Sequence, residues 1–402
     1  MRAKITKKSL AVALAMITLL VATTSLAQPV SWFDAQKVIT ELNISSTISI
    51  IPKGPNPYVE SITADLLLVP KNLQNTAVRS LRANPPAIVT HNRARYKWTN
   101  PKDTQLNFGY SSVVEKINDA PRVRAKIQYP TKFPKELEKY TKPTQYIDSN
   151  NPKIIAQAHY LAQNQDDLFL LVSSIGMWVK TNIEYNLSTL TAEVTQPASW
   201  ALENKYGVCD ELTSLFIAML RALGIPARFV VGTAYTTSPL FPQGWAAHGW
   251  AEVYFPGTGW VPFDPTFGEF GWVDPGHIKL AESLDPREPT TIYEWKARDA
   301  DIKVEDLDIT TNILKAEGEA LFELDMKAYP LRERVGFGSA NGIIVEAENL
   351  ADYYTAYEVY LAPVTDFSII GAKSKLLAIP PHQKSKVSFE VKVKEELNPQ
   401  YQ

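Results

Sequence analysis

The chain of 402 residues holds a single cysteine, Cys209, so no internal disulfide can staple any part of it. It has almost no net charge: a formal −2 gives no electrostatic footprint for nucleic acid or an anionic membrane. Aromatic and basic residues are not interleaved into a stripe for single strands either. Long apolar runs are missing. The longest, from Leu10 to Ala22, falls short of the roughly 20 residues a comfortable membrane span needs. There is no calcium loop of the Asp-x-Asp-x-Asp-Gly kind, and His91, His159, His277 and His382 are scattered without metal-ligand spacing. Neither a cofactor nor a metal is implied. What is present is an ordinary globular composition, 45% apolar and 21% charged, of a length that suits two or three domains.

The apolar run has a context. Arg2, Lys4, Lys7 and Lys8 precede it and Ser25-Leu26-Ala27 closes it, the pattern of a secretory signal peptide over residues 1–27. The expectation is an exported, extracytoplasmic protein, with an uncleaved N-terminal anchor as the alternative and membrane association only in that case. Lipidation is excluded, since no cysteine stands at the cleavage site. A lone thiol in an exported chain then needs an explanation. Composition alone favours a buried, inert cysteine acting as a small hydrophobe, so its neighbours decide.

Residues 28–150 read as an N-terminal β domain followed by a linker: alternating runs such as Ser61 to Val69, broken by proline and asparagine, give way after Thr131 to aperiodic sequence. Residues 151–300 change character. Leu168, Leu171, Val172, Ile175, Trp178 and Val179 recur at helical spacing behind Asp166 and Asp167. A short helix follows between Pro197 and Gly207. Leu212, Leu215, Phe216, Met219, Leu220 and Leu223 mark a stronger one, ended by Gly224 and Pro226, with Cys209 in its first turn. Strands follow over Arg228 to Tyr235, His248 to Phe255 and Trp260 to Phe263, the last two joined by a Pro256-Gly257-Thr258-Gly259 hairpin. Residues 301–402 alternate again and are expected to form a C-terminal β-sandwich of immunoglobulin type.

A thiol attacks a carbonyl well only as thiolate. At a helix start Cys209 would face unpaired backbone N–H groups and the positive dipole end, worth roughly 0.3–1 kcal/mol towards the anion, while Asp210 and Glu211 oppose it if close. A partner cation is needed. Strand alternation puts His248, Trp250, Glu252 and Tyr254 on one face, and the hairpin brings Asp264 within a residue or two of register with His248. Those residue types suit a nucleophile, a general base and a carboxylate that orients it. For Asp264 a turn carboxylate before Pro265 is an equally common use.

Gly207-Val208-Cys209, Arg221 to Arg228, His248-Gly249-Trp250-Ala251-Glu252-Val253 and Asp264-Pro265-Thr266, in this order and spacing, resemble transglutaminase-like domains. The likeness covers about a third of the chain, from about Ile154 to Pro289. It implies an α+β fold with a papain-like core, in which the nucleophile helix packs on an antiparallel sheet, flanked here by β domains of exported microbial type. It also implies Cys209 as nucleophile, His248 as base and acid and Asp264 as orienting carboxylate, with an oxyanion hole from the cysteine N–H and a second donor. Trp178 and Tyr185 are candidates for that donor; Trp250 and Glu252 are supporting residues.

The function so implied is thiol-dependent acyl chemistry on peptide or glutamine amides through a thioester, as a cysteine peptidase or amidase or a protein-glutamine acyltransferase. Hydrolysis is favoured over transamidation, because transfer requires a site that excludes water. The partner is a protein or peptide substrate, cell-envelope proteins included, and oligomeric state is left open. The rival is a non-catalytic scaffold or binding protein that keeps the fold. His277, after Asp274-Pro275-Gly276, is expected to be structural, and two sequons begin at Asn43 and Asn186.

Overall fold

A computed structural model describes residues 35–187, 195–239, 241–242, 244–320, 323–362, 364–365 and 367–395. The expected signal peptide lies outside the described residues.

The chain enters on a 16-residue strand, β1 (Lys37–Pro52), in which Val38, Thr40, Leu42, Ile44, Ser46 and Ile48 all point inward. That strict alternation buries one face and leaves the other half-exposed. β2 (Tyr58–Leu66), β3 (Thr76–Asn84), β4 (Ile88–Val89), β5 (Ala94–Thr99) and β6 (Gln105–Ile117) follow. β6 pairs with both β1 and β3, while β5 pairs with β2 and β4. Leu42 and Ile48 of the first sheet share one core with Ile62, Ala64 and Tyr96 of the second and with Phe108 of β6. The layers therefore close into an antiparallel β domain.

The middle segment supplies helices α1 (Pro152–Leu161), α2 (Leu168–Asn182), α3 (Ala198–Asn204) and α4 (Cys209–Ala222), with short strands β7 (Glu184–Tyr185) and β8 (Tyr206–Gly207) between them. α1 has only Ile154 and Ala158 buried, too weak a pattern to stand out in the sequence. Asp167 caps α2, its Oδ1 accepting from Phe169 N and Leu170 N. α4 is buried on nearly all sides, among the other helices and against the sheet. Its last turn is clasped by Arg221, whose guanidinium donates to the carbonyls of Lys142, Ala227 and Leu284.

That sheet runs β12 (Glu269–Phe270), β11 (Gly259–Asp264), β10 (Trp245–Phe255), β9 (Ala227–Tyr235) and β13 (Ile278–Ser283), every neighbouring pair antiparallel. β10 starts three residues earlier than the sequence suggests, so His248 sits inside the strand and not at its start. β13 is shared ground, because Ile278 and Leu280 pack into the core of the N-terminal sheets.

The boundary expected at residue 301 is displaced. β14 (Thr291–Arg298) pairs with β2, and β15 (Ala300–Val304) and β16 (Asp308–Glu317) pair with β1. The physical reason is β1 itself: β6 covers one long edge, and the other would stay open without strands returning from beyond the helical segment. The remaining strands, β17 (Leu324–Pro330), β18 (Ala340–Asn349), β19 (Thr355–Tyr360), β20 (Phe367–Ile370), β21 (Ser374–Ile379) and β22 (Lys384–Val393), form a four-stranded and a two-stranded sheet. They dock on α2, where the Tyr354 hydroxyl donates to Asp167 Oδ2 at 2.6 Å.

Candidate active site

Cys209 is the first residue of α4 and is half-buried. The turn before it is built by a reach-back from Glu211, whose Oε2 accepts from Val208 N and whose Oε1 accepts from Gln196 N, both at 3.0 Å. Gly207 makes this possible, since a Cβ there would lie 2.6 Å from the Glu211 Cβ. Glu211 is thus spent on backbone amides. Asp210 is the acid that stays near the sulfur, its Oδ1 3.8 Å from Cys209 Sγ. Burial, then Glu211, push the Asp210 carboxyl up to about 6, against the pull of His248.

His248 is buried and stands beside Cys209. Its Nε2 lies 2.6 Å from Asp264 Oδ2, which leaves Nδ1 for the thiol side. Burial alone would favour a neutral ring, but the charge and hydrogen bond of Asp264, and then Cys209, raise His248 to about 9. An imidazolium is the stable form at neutral pH. Asp264 is fully buried, which pushes its pKa up, yet His248 and His277 hold it well below the usual carboxylate range. Its other oxygen, Oδ1, accepts from Thr266 N at 2.7 Å and Phe267 N at 3.1 Å. The Asp-Pro-Thr motif is therefore a side-chain-to-backbone turn that orients the carboxylate as it ends the strand.

The register of the hairpin explains why the two side chains meet. Ala251 pairs with Phe263, so Asp264 falls opposite Trp250, on the face that Trp250 shares with His248. Trp250 is buried, with its ring 6.1 Å from that of His248 and nearly parallel to it. It supports the imidazole from behind. Glu252 takes no part in the chemistry-bearing cluster and instead bonds Arg228 and Lys279.

The two aromatic residues named as second oxyanion donors part company. Tyr185 pairs with Gly207 across the β7–β8 bridge and lines a cavity of about 200 Å³ together with His248, Ala247, Phe241 and Phe267. Burial, and next the charge of Cys209, push its phenol pKa up. Trp178 does not line that cavity; it is half-buried against the core, with the Lys205 ammonium 5.0 Å from its ring. Among the described residues, that ammonium is the one polar group over its ring.

His277, expected to be structural, is buried and hydrogen-bonded at the edge of this cluster. Its Nε2 lies 3.1 Å from the same Asp264 Oδ2, and its Nδ1 faces Asp274 Oδ1 at 3.3 Å and Glu269 Oε2 at 3.8 Å. Donor atoms of His248, Asp264 and His277, and of Glu269, Asp274 and His277, converge closely enough to raise the question of a metal. The 2.6 Å between His248 and Asp264 is a hydrogen-bond spacing, shorter than the roughly 3.4 Å between ligands on a tetrahedral ion with ~2.1 Å bonds. The first set does not fit an ion without moving.

Residues 155–265, which span Cys209, His248 and Asp264, match the model of the Transglutaminase-like superfamily. The core of this chain is a transglutaminase-like domain. It is similar to the uncharacterized protein YebA of Bacillus subtilis, 29% identical over 197 residues that make up 44% of this chain and 25% of that protein. It is also similar to a protein-glutamine gamma-glutamyltransferase of Pseudomonas aeruginosa, 36% identical over 72 residues, 16% of this chain and 10% of the other. The chain thus matches a quarter or less of either relative. Among solved structures, a candidate cysteine protease from Cytophaga hutchinsonii shares the fold at a TM-score of 0.52 and 18% identity, over 71% of this chain and 94% of that one. The transglutaminase-like match ends at residue 265, so His277 lies outside it.

Proposed function

We propose that this chain carries out thiol-dependent acyl chemistry on amides of peptides or proteins, with hydrolysis favoured over transfer to an amine. The observation that carries the reading is the pairing of His248 Nε2 with Asp264 Oδ2 at 2.6 Å while the ring stands beside Cys209 at a helix start. In this reading Cys209 is the nucleophile, His248 the base and acid, and Asp264 the carboxylate that fixes the ring.

The sequence of steps follows from those roles. With the proton on His248, the Cys209 sulfur attacks the amide carbon, and charge gathers on the carbonyl oxygen beside the first N–H groups of α4. Tyr185 is the candidate second donor, from the cavity wall. His248 then gives its proton to the departing amine, leaving a thioester. Water, deprotonated by His248, resolves it and restores the thiol. Water is always at hand, whereas an amine must be selected, which is why hydrolysis leads.

The wider setting belongs to the same proposal: an exported protein, delivered by the 1–27 segment, acting on extracytoplasmic proteins or peptides, with the C-terminal sheets as an immunoglobulin-type accessory module. The names of the similar proteins, a candidate cysteine protease and a protein-glutamine gamma-glutamyltransferase, support acyl chemistry in general. The test is to incubate the purified protein with a glutamine peptide and a labelled amine and to follow ammonia, cleavage and amine incorporation together. Product that disappears in Cys209→Ala is expected. A folded protein that forms none, and whose Cys209 alkylates with the pH dependence of an ordinary thiol, overturns the reading in favour of a scaffold.

A further inference from the structure

Asp264 Oδ2 is shared. His248 Nε2 approaches it at 2.6 Å and His277 Nε2 at 3.1 Å, so one carboxylate oxygen receives two ring nitrogens in a dry interior. His277 is 1% exposed and its ring is walled in by Trp250 at 5.2 Å and Phe267 at 5.1 Å, both edge-on. Trp250 and Phe267 touch His248 as well. The two imidazoles are therefore held in one aromatic box around a single carboxylate.

The main chain that carries His277 is tethered from outside the core. Lys116 comes from β6 of the N-terminal sheet, is buried, and donates its Nζ to the carbonyl oxygens of Asp274 at 2.9 Å and His277 at 2.6 Å. A buried ammonium costs several kcal/mol unless it is well bonded, so this placement demands a return. We propose that His277 is a positioning residue of the Cys209–His248–Asp264 system, holding Asp264 in the orientation that His248 requires, and that Lys116 fixes His277 there from the N-terminal sheet. The proposal rests on the functional reading above and extends the working site beyond the core to the first β domain.

The charges around His277 agree with that role. Asp264 and Asp274 flank the ring and, against burial, keep it protonated more readily than an ordinary histidine. Burial, and then the charge of Asp274, push the Glu269 carboxyl well above the usual carboxylate range. Burial lowers Lys116 to about 8 against the pull of Asp274 and Glu269. From Cys209 the order is thiol, His248, Asp264, His277, Asp274, with the two rings alternating between carboxylates. His277 consequently does two things to Asp264: it fixes the oxygen, and it offsets part of the charge that His248 feels.

Those two effects separate experimentally through the alkylation of Cys209 by iodoacetamide as a function of pH, a readout that needs no substrate. His277→Leu removes both effects, His277→Gln keeps a donor but removes the charge, and Lys116→Met loosens the tether without touching the ring. The plateau rate should fall about tenfold in His277→Leu and Lys116→Met and return to within about twofold of wild type in His277→Gln. The alkaline limb should move to higher pH in both histidine variants, because Asp264 then acts undivided on His248. If His277→Leu does not fold, His277→Gln and Lys116→Met still decide the matter. Unchanged limb and plateau in those two overturn the inference while leaving the functional reading intact. An ordinary thiol profile in the wild-type protein itself sinks both.

Discussion

His248 Nε2 and Asp264 Oδ2 meet at 2.6 Å because β10 and β11 pair with Ala251 opposite Phe263, which puts the two side chains on one face of the sheet. The carboxylate is further fixed through Oδ1 by the amides of Thr266 and Phe267. Asp264→Asn keeps that shape and removes the charge. The amide can then present its NH₂ to the ring, reverse the tautomer and leave Nδ1 unable to accept the thiol proton. Turnover of an amide substrate should drop by about 10³-fold with little change in KM, whereas a purely structural carboxylate would lower stability and leave kcat alone.

The same pair makes stability depend on pH in a definite direction. His248 is raised from 6.5 to about 9, so its contribution is complete below about 6.5 and is lost as pH rises through about 9. Asp264 is depressed, so its contribution is present above about 4 and is lost only well into acid. Wild type should therefore be most stable between about pH 4 and 6.5 and decline towards pH 9 by up to about 3 kcal/mol. Lys116 opposes the decline near pH 8 to 9, since its penalty eases as it loses its proton. Thermal melts of wild type and Asp264→Asn across this range cancel the lysine, and the difference between them should shrink as pH rises. A constant difference would contradict the assignment of charge to His248.

Glu211 makes a prediction about the helix start and not about chemistry. Its carboxylate is 3% exposed and takes the amides of Val208 and Gln196. Glu211→Ala leaves two inward amides unpaired and should cost about 2–3 kcal/mol, visible as a lower urea midpoint. Glu211→Gln keeps one acceptor oxygen and turns an NH₂ towards the other amide, so it should recover only part of that loss. Full recovery in Glu211→Gln would show that the two-oxygen reach-back is not what holds this turn.

The parts of this site that were legible in the sequence are those whose neighbours in the chain carry the signal. Cys209 was marked by the apolar face of its helix and by Gly207, His248 and Asp264 by strand alternation and a hairpin of known length. His277 carried no such signal. It follows a turn, and nothing local says that β13 is separated from the strand of Asp264 by β9 and β10, or that β6 of another domain pins it. Tyr185 and Trp178 looked alike as aromatic donors, and only the β7–β8 bridge to Gly207 separates them. Alternation was legible from residue 301 onward, but it fixes a face and never a partner, so the return of residues 291–317 to β1 and β2 could not be read. α1 was missed for want of a wide apolar stripe.

Gly232 of β9 offers a test of how tightly the wall behind His248 is packed. A Cβ there would lie 2.2 Å from the carbonyl oxygen of Ile278 and 2.6 Å from the Trp250 ring. The first contact is with the backbone of β13, which cannot swing away, because its pairing with β9 sets that approach. The second is with the indole that packs on both His248 and His277. Gly232→Ala must therefore spread two strands or push Trp250 towards the imidazoles, and overpacking of this kind costs about 1–3 kcal/mol. The two responses differ in what they do to the site. Strand spreading lowers the melting temperature and leaves Cys209 alkylation at its wild-type rate, whereas a displaced indole slows alkylation as well. The backbone contact is the closer, yet the indole is the freer group, so both stability and alkylation rate should fall, the latter by several-fold. Trp250→Phe in the same background removes the outer indole ring and should restore the rate. Failure of that rescue would show that Trp250 does not transmit the strain to His248.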